Sequence, residues 1–266
     1  MRLRDRVVVV TGGGGGLGRA IALSFAREGA RLLLAGNVEP EVLAVAGEVR
    51  ALGARAVGIT ADVTKGAEME RMAARAVDEL GALDVLVTAA GVSGTGLLLE
   101  QPEAEWLQVL DINLGGTYRA IRAALPRMMA QKQGRIVTIS SVYGRTGGSG
   151  FVTAYASSKH GVIGLTRALA AEVASQGHPG ITVNAICPGY VRAGMGVAPQ
   201  KMKGPEGGFQ EVPGEEIFER YMKRRVPQRR MLEGEEIAGV AVFLSLPESR
   251  GITGQALNVD GGLLMS

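Results

Sequence analysis

The sequence has few of the residues that bind metals or cross-link chains. Its 266 residues include one cysteine, Cys187, and two histidines, His160 and His178. A single thiol excludes an intrachain disulfide and a multi-cysteine zinc site, and two histidines leave little material for a histidine metal cluster. We therefore expect no metal site, and the lone thiol fits a reducing compartment.

Aromatic residues, net charge and long apolar runs are also scarce. Aromatics make up 4% of the chain, too few for the stacking surfaces that bind single-stranded nucleic acid. A net charge of +3 is too small to indicate a nucleic-acid partner. No run of about 18 apolar residues is present, and Val7–Val10 is far shorter than the apolar core of a signal peptide. These absences predict a cytoplasmic protein with neither a membrane nor a nucleic-acid partner.

Apolar residues, at 46% of the chain, form short runs that alternate with helix-length segments. The predicted strands are Arg6–Val10, Arg31–Ala35, Ala54–Thr60, Val85–Thr88, Arg135–Ser140, Ile181–Cys187 and Ala256–Val259. The predicted helices are Gly16–Glu28, Glu41–Leu52, Ala67–Leu80, Ala104–Ala130, Ala154–Ser175 and Glu235–Leu246. Continuous apolar strands indicate a parallel sheet covered on both faces. The alternation predicts an α/β chain in which residues 1–266 form a single Rossmann-type doubly wound domain of about seven strands.

One stretch breaks this alternation. Residues 193–213 are rich in glycine, proline, lysine and glutamine, and a charged helical piece follows at Gly214–Arg225. Because the stretch is too long for an ordinary connection, we expect an insertion at 193–225 that acts as a lid over the substrate.

A glycine-rich turn follows the first strand and leads directly into a helix. It reads Thr11-Gly12-Gly13-Gly14-Gly15-Gly16-Leu17-Gly18. Glycines let backbone amides approach a pyrophosphate closely, and the start of the helix offers free N–H groups and a positive dipole end. In the order strand, glycine turn, helix, strand, this pattern predicts a dinucleotide site.

The spacing Thr-Gly-x-x-x-Gly-x-Gly resembles that of the short-chain dehydrogenase/reductase family, and the resemblance covers nearly the whole chain. Its further motifs occur in the order Asp62-Val63, Ala90-Gly91, Asn113, Ser141, Tyr155-Ala156-Ser157-Ser158-Lys159 and Pro188-Gly189. The sequence around Tyr155 and after Ile181 is similar to aromatic-polyketide ketoreductases, 3-hydroxybutyrate dehydrogenases and 3-oxoacyl thioester reductases. Cofactor contacts are expected at Gly12, Gly16, Leu17, Gly18, Gly36, Asn37, Asp62, Val63, Ala90, Gly91, Tyr155, Lys159, Pro188, Gly189 and Val191.

Tyr155 and Lys159 carry the acid–base chemistry that the resemblance implies. Four residues apart on a helix, they project from one face, and a nearby ammonium favours the phenolate. The resemblance implies that Tyr155 exchanges the proton, while Lys159 lowers the pKa of Tyr155 and holds the nicotinamide ribose. It assigns Ser141 to polarising the substrate oxygen, with Ser140 as a rival, and Asn113 to a proton relay.

The sequence departs from the family pattern at two positions, one at the end of the fourth predicted strand and one after the sixth. Thr88-Ala89-Ala90-Gly91 stands where many members have Asn-Asn-Ala-Gly, so Thr88 is expected to replace part of the asparagine's hydrogen bonding. Ala193 stands where a threonine often holds the nicotinamide carboxamide, which leaves only backbone contacts near Val191.

The choice between NAD and NADP depends on the end of the second strand. Gly36 stands where an acidic residue would bind the ribose hydroxyls and repel a 2′-phosphate, and Asn37 follows where relatives that use NADP often have arginine. Arg19 follows the glycine turn, but an arginine there is frequent both in relatives that use NAD and in relatives that use NADP. Because we find no charge-assisted donors for a phosphate, we expect NAD, with NADP as the alternative.

These features predict an oxidoreductase that transfers hydride between a nicotinamide cofactor and a secondary alcohol or ketone. The alternative is a catalytically idle NAD(P)-binding sensor or scaffold on the same fold. The basic residues Lys201, Lys203, Lys223, Arg224 and Arg225 form either a solvated surface or a basic mouth for an anionic or acyl-type substrate. The apolar C-terminal segment and the use that relatives make of this region predict a homotetramer.

Overall fold

The computed structural model describes residues 1–148, 150–203 and 209–265, with the side chains of 201–203 and 209 outside that description. Seven parallel strands form the central sheet. Their bounds are Val7–Thr11 (β1), Arg31–Gly36 (β2), Ala56–Thr60 (β3), Val85–Thr88 (β4), Gly134–Ile139 (β5), Ile181–Pro188 (β6) and Ala256–Val259 (β9). A separate antiparallel hairpin pairs Gln200–Lys203 (β7) with Phe209–Val212 (β8).

Helices cover both faces of this sheet. They are Gly16–Arg27 (α1), Glu39–Ala51 (α2), Gly66–Leu80 (α3), Glu103–Leu110 (α4), Gly116–Gln131 (α5), Thr153–Ser175 (α6), Gly214–Ile217 (α7) and Gly234–Ser245 (α8). None of the helices in the described ranges is long and apolar enough to cross a membrane. The prediction of a single α/β domain with about seven parallel strands is confirmed.

The continuous apolar strands have a direct packing explanation. Val8 and Val10 of β1 belong to the core on one face, where α1, α2 and α8 pack. Val7 and Val9 belong to the core on the other face, under α3, α5 and α6. Because successive strand side chains point to opposite faces, a strand covered on both sides needs apolar residues at every position.

Two local features differ from the predicted elements. The helix expected over 104–130 is interrupted by a π-helical turn, Asp111–Gly115, which holds Asn113 between α4 and α5. The insertion predicted at 193–225 contains the β7–β8 hairpin, α7 and a second π-helical turn, Phe218–Met222, in place of one helical piece. Neither π turns nor a short polar hairpin produces a distinctive hydrophobic period, so the sequence pattern did not show them.

The strand order reverses between β1 and β4. β2 and β3 lie on one side of β1, whereas β4, β5, β6 and β9 follow on the other. In open α/β sheets, ligands bind in the crevice at the carboxyl ends of the strands at this switch point. The glycine turn after β1 and the motifs after β4, β5 and β6 all open toward that crevice.

Candidate active site

One large cavity lies at the carboxyl ends of β1, β4, β5 and β6. Its volume is about 710 Å³, and it extends from Asn37 after β2 to Arg225 in the lid segment. Of the residues expected at the site, all except the buried Asn113 line this cavity. The described residues contain no group of three or more histidine, cysteine, aspartate or glutamate side chains placed to hold a metal ion.

The glycine turn leaves room for a phosphate group. Gly12 and Gly16 have φ of 68° and 51°, values that L side chains rarely adopt. A Cβ atom on Gly12 would lie 2.7 Å from the Cα of Ala90, and one on Gly16 would lie 3.0 Å from the Cα of Gly194. Since α1 begins at Gly16, its unpaired N–H groups add the positive end of a helix to the same space. The residues present therefore fit the pyrophosphate of a dinucleotide.

The end of the cavity near Asn37, where the sequence predicts the adenosine of a dinucleotide, has only uncharged or acidic lining residues in the described part of the chain. It is lined by Gly36, Asn37 and Glu41, and by Ala61, Asp62 and Val63 after β3. Asp62 accepts hydrogen bonds from the backbone N and the Oγ1 of Thr64, both at 2.8 Å, which fixes the Asp62-Val63 segment. Arg19 does not line this region, because its guanidinium is bonded to Glu48 of α2 at 2.5 Å.

Tyr155 and Ser141 meet at the other end of the cavity. Tyr155 lies in the first turn of α6, and Ser141 lies two residues after Ile139, which ends β5. Burial raises the pKa of Tyr155 above its ordinary value, a hydrogen bond with Ser141 lowers it, and the neighbouring Tyr143 raises it further. A phenol with a raised pKa is protonated at neutral pH and can donate a proton.

The two adjacent serines have different surroundings. Ser140 is buried, and its Oγ donates to the backbone O of Lys159 at 2.9 Å. Ser141 Oγ accepts a hydrogen bond from the backbone N of Tyr143 at 3.1 Å and reaches Tyr155. Ser141 is therefore the serine whose hydroxyl faces the phenol, while Ser140 ties β5 to α6.

Lys159 is 3% exposed and packs beneath Tyr155. Its Nζ lies 5.6 Å from the centre of the Tyr155 ring and donates to the backbone O of Ile139 at 3.0 Å. Burial lowers the pKa of Lys159 to about 8. The expected lowering of the Tyr155 pKa by Lys159 is absent among these described contacts, because loss of solvation dominates at both residues.

Asn113 is fully buried, and both ends of its side-chain amide form hydrogen bonds within the protein. Oδ1 accepts from the backbone N of Val92 at 2.8 Å, and Nδ2 donates to the backbone O of Val92 and to the Oγ of Ser158, both at 3.0 Å. Asn113 and Lys159 flank Gly91, where a Cβ atom would lie 3.1 Å from Oδ1 and 3.5 Å from Nζ. The proton relay through Asn113 stays a prediction.

The remaining expected contacts come from strand ends. Ala90 and Gly91 follow β4, Pro188 ends β6, and Gly189 and Val191 come just after it. A Cβ atom on Gly189 would lie 2.8 Å from the Cα of Asp260, so this turn is packed against the C-terminal segment. Ala193 also lines the cavity with a methyl group alone, as the sequence implied.

The expectation for Thr88 is wrong. Its Oγ1 is buried and finds no hydrogen-bond partner among the described residues. The hydroxyl is too short to reproduce the cross-strand bonds of an asparagine amide at this position of β4.

The residues that line the cavity but were not expected from the sequence include Tyr143, Tyr190 and Glu41. The Oη atoms of Tyr143 and Tyr190 are 2.5 Å apart, and the ring of Tyr143 packs edge-on against Tyr155 with centres 6.4 Å apart. Four of the five tyrosines line this one cavity, namely Tyr143, Tyr155, Tyr190 and Tyr221. The only signal in the sequence was that three of them fall close to the catalytic motifs.

The parallel sheet has a glycine turn at its switch point, and a serine, a tyrosine and a lysine lie at the far end of the same cavity. This arrangement defines a dinucleotide-dependent oxidoreductase. The comparisons with known proteins agree. A sequence model described as short chain dehydrogenase matches residues 6–203. The chain belongs to the short-chain dehydrogenase/reductase family.

Several relatives match over almost their full length. Oxidoreductase UcpA of Escherichia coli K12 is 37% identical over 261 residues, which cover 98% of this chain and 95% of the relative. The 3-oxoacyl-[acyl-carrier-protein] reductase FabG of Staphylococcus epidermidis is 35% identical over 263 residues, covering 98% and 100%.

A solved structure is also similar throughout. A variant of actinorhodin polyketide ketoreductase, crystallised with NADPH, has 36% sequence identity and a TM-score of 0.86, with 97% of each chain covered. Together these likenesses identify this chain as an oxidoreductase that acts on carbonyl or hydroxyl groups with a nicotinamide cofactor.

Proposed function

We propose that this protein interconverts a ketone and a secondary alcohol of an anionic or acyl-type substrate, with Tyr155 as the proton donor and acceptor. The observation that carries the proposal is the meeting of Tyr155, Ser141 and Lys159 at one end of a cavity whose other end fits a dinucleotide. An idle sensor would not need a buried phenol beside a serine hydroxyl. The acyl-type option draws support from the FabG relative, whose name states an acyl-carrier-protein substrate.

The residues of this chain would hold the cofactor in an extended arrangement. The turn with Gly12, Gly16, Leu17 and Gly18 would bind the pyrophosphate, with Gly36, Asn37, Asp62 and Val63 around the adenosine. The residues Ala90, Gly91, Lys159, Pro188, Gly189 and Val191 would surround the nicotinamide ribose and ring. When bound, the nicotinamide supplies or accepts the hydride.

The other residues handle the oxygen of the substrate. Ser141 would donate a hydrogen bond to that oxygen and orient it toward Tyr155. The raised pKa of Tyr155 keeps the phenol protonated near neutral pH, so Oη has a proton to give during reduction. Asn113, which holds the turn after β4 and flanks Gly91 with Lys159, would keep the ammonium in place.

The experiment that tests this function measures turnover of a panel of ketones with NADH and NADPH in wild type and Tyr155→Phe. Tyr155→Phe keeps the ring but removes the acid, so kcat should fall at least ~10²-fold while cofactor Kd, measured by fluorescence titration, stays within a few-fold. Ser141→Ala should also lower kcat. Near-normal turnover in Tyr155→Phe would remove this residue from the mechanism, and no turnover in wild type would favour the idle sensor.

We further propose that NAD is the preferred cofactor. The support is the charge at the adenosine end, where Asn37 is neutral, Glu41 is anionic, and Arg19 is held by Glu48. A 2′-phosphate placed there would meet a carboxylate, and the described residues that line this end of the cavity include no cation to offset it. The NADPH of the actinorhodin ketoreductase structure favours the alternative, NADP.

The test compares NAD with NADP by kcat/KM and by Kd. Asn37→Arg should improve NADP about 10- to 150-fold, the value of a charge-assisted hydrogen bond. Glu41→Gln should also improve NADP, by less, while NAD changes little in both variants. Gly36→Asp is a poor probe, because a Cβ atom there would lie 2.8 Å from Cγ2 of Val42. A wild-type preference for NADP would refute this proposal.

We also propose that residues 193–225 act as a lid and that the chain assembles as a homotetramer. The lid segment contributes Ala193, Met195, Ile217, Tyr221 and Arg225 to the cavity wall. The tetramer is supported by large apolar side chains on the outer surface of the monomer, among them Leu99, Leu107 and Phe243.

A further inference from the structure

Two cationic side chains among the described residues line the cavity, and the proposed chemistry uses only one of them. Lys159 lies beneath Tyr155 at the reacting end. Arg225 lies at the lid end, after the π-helical turn of the lid segment, and its side chain is exposed. The function of a cation at this second position is not explained by hydride or proton transfer.

Among the described residues, several basic residues in and next to the lid form ion pairs, whereas Arg225 does not. Lys223 pairs with Glu219 at 2.8 Å, Arg220 pairs with Glu216 at 2.7 Å, and Arg192 pairs with Glu215. Arg225 forms no ion pair within the part of the chain that the structure describes. The side chains of Lys201 and Lys203 lie outside that part. Among the basic residues that the sequence analysis considered as a mouth for an anionic substrate, Arg225 is the one described side chain that lines the cavity.

A row of tyrosines connects this cation with the reacting end. Tyr143 packs edge-on against Tyr155, and its hydroxyl is bonded to the hydroxyl of Tyr190. The ring of Tyr190 packs against Phe218 of the lid, with centres 5.7 Å apart. Burial raises the pKa of Tyr190, Tyr143 raises it further, and the positive charge of Arg225 acts in the opposite direction. The wall between Tyr155 and Arg225 is thus aromatic, with polar edges.

We propose that Arg225 binds a carboxylate of the substrate, and that the tyrosine wall holds a ring between this carboxylate and the carbonyl that reacts at Tyr155. The substrate class is therefore a ring-bearing keto acid and its hydroxy acid. This inference rests on the proposed function, since Tyr155 defines the reacting end. A guanidinium binds a carboxylate through paired hydrogen bonds, and its partial exposure lets a charged substrate enter without losing all hydration first.

The test uses two matched pairs of aromatic ketones. In each pair the carbonyl and ring are the same and only the charge differs: 4-acetylbenzoate against 4-acetylbenzamide, and 4-oxo-4-phenylbutanoate against its amide. For at least one pair, wild type should prefer the carboxylate at least ~10-fold in kcat/KM, mainly through KM, because a charge-assisted hydrogen bond changes affinity about 10- to 150-fold. The same preference should appear in Kd measured by calorimetry.

The variants R225Q, R225K and R224Q separate the role of Arg225 from general effects of charge. R225Q should reduce the preference to within about two-fold, and R225K should keep part of it. R224Q removes the adjacent exposed arginine, which does not line the cavity, and should leave the preference unchanged. Turnover of the neutral amide should stay near wild type in R224Q, and an unchanged cofactor Kd and an unchanged urea unfolding curve would show that R225Q and R225K fold.

The outcomes distinguish this inference from the proposed function. Equal kcat/KM for both members of both pairs, or a carboxylate preference that survives R225Q, would overturn the inference while the reductase activity stands. If no ketone is turned over, the proposed function fails, and calorimetry alone decides the role of Arg225. In that case a carboxylate preference lost in R225Q supports the binding site, and equal or absent binding of the two probes overturns it.

Discussion

The contribution of the Thr88 hydroxyl to the free energy of unfolding can be measured separately from the contributions of its neighbours. Its buried Oγ1 has no partner among the described residues, so the folded state has lost the hydration of that hydroxyl without replacing it. Thr88→Val should therefore raise the free energy of unfolding by about 1 kcal/mol, measured by urea denaturation. Thr88 does not line the cavity, so cofactor affinity should be unchanged.

Thr138 provides the matched control for this substitution. It is also a buried strand threonine, but its Oγ1 is hydrogen-bonded to the Oγ1 of Thr166 at 2.8 Å. Thr138→Val should destabilise the protein by about 1–3 kcal/mol, because it leaves the hydroxyl of Thr166 with one partner fewer. Equal effects of the two substitutions would show that the hydroxyl of Thr88 is satisfied in solution.

Lys159 should make stability depend on pH. Its pKa is about 8 in the folded protein, below the ordinary value of 10.5. Between pH 8 and pH 10.5 the unfolded chain binds more protons at this lysine than the folded protein does. The cost of burying the ammonium is therefore complete below pH 8 and disappears as the pH rises toward 10.5. At pH 7 this cost is on the order of 1–3 kcal/mol, allowing for the bond from Nζ to Ile139.

The substitution Lys159→Met removes that cost. In the cofactor-free protein, Lys159→Met should be more stable than wild type at pH 7, and the difference should shrink when unfolding is measured at pH 9.5. Lys65→Met, at an exposed lysine, provides the control for loss of a surface charge. A difference that is constant or grows with pH would contradict the burial cost assigned to Lys159.

At the scale of elements, the glycine turn and the lid meet through their backbones. Gly16 and Gly194 both have φ of 51°, and a Cβ atom on Gly194 would lie 3.3 Å from the Cα of Gly16. Gly194→Ala should strain the first turn of the lid and increase the distance between the lid and the glycine turn that precedes α1. We expect cofactor Kd to rise about tenfold, with a loss of about 1 kcal/mol in stability, since a positive φ disfavours L side chains by that amount.

A glycine in the middle of α2 provides the opposite control. Gly47 has a negative φ, and a Cβ atom there would have only a loose contact with Arg50. Gly47→Ala should raise stability by about 0.5–1 kcal/mol, because alanine favours helix more than glycine. Fluorescence titration with NADH and NADPH should show unchanged affinity. If Gly194→Ala also leaves affinity unchanged, the lid and the glycine turn do not act together.

At the scale of the whole molecule, the outer surface predicts assembly. Leu98 and Leu99, before α4, are 62% and 98% exposed, and Phe243 on α8 is 44% exposed. Light scattering at micromolar concentration should give four times the 27.7 kDa mass of the chain. Phe243→Glu should reduce this mass, because a carboxylate buried in an interface loses its hydration. A monomeric mass for wild type would refute the tetramer.

The sequence alone determined the sheet, most of the helices and the glycine turn at the switch point of the sheet. Strands covered on both faces must be apolar at nearly every position, so β4 was predicted at its observed bounds and β1, β2, β3, β5 and β6 within about two residues. The partly buried edge strand β9, which contains Asn258, was also predicted at its observed bounds. The glycine turn was readable for a similar reason, since only glycine tolerates the positive φ and close approach at Gly12 and Gly16.

Only the tertiary structure decided which side chains from distant segments meet. It distinguished Ser141 from Ser140, showed that the hydroxyl of Thr88 lacks a partner in the described chain, and paired Tyr143 with Tyr190, 47 positions away. It also selected Arg225 from the run Lys223, Arg224 and Arg225, because the path of the lid decides which of these side chains lines the cavity. Local patterns specify backbone conformation, whereas charge compensation, burial and pKa depend on neighbours that the fold brings together.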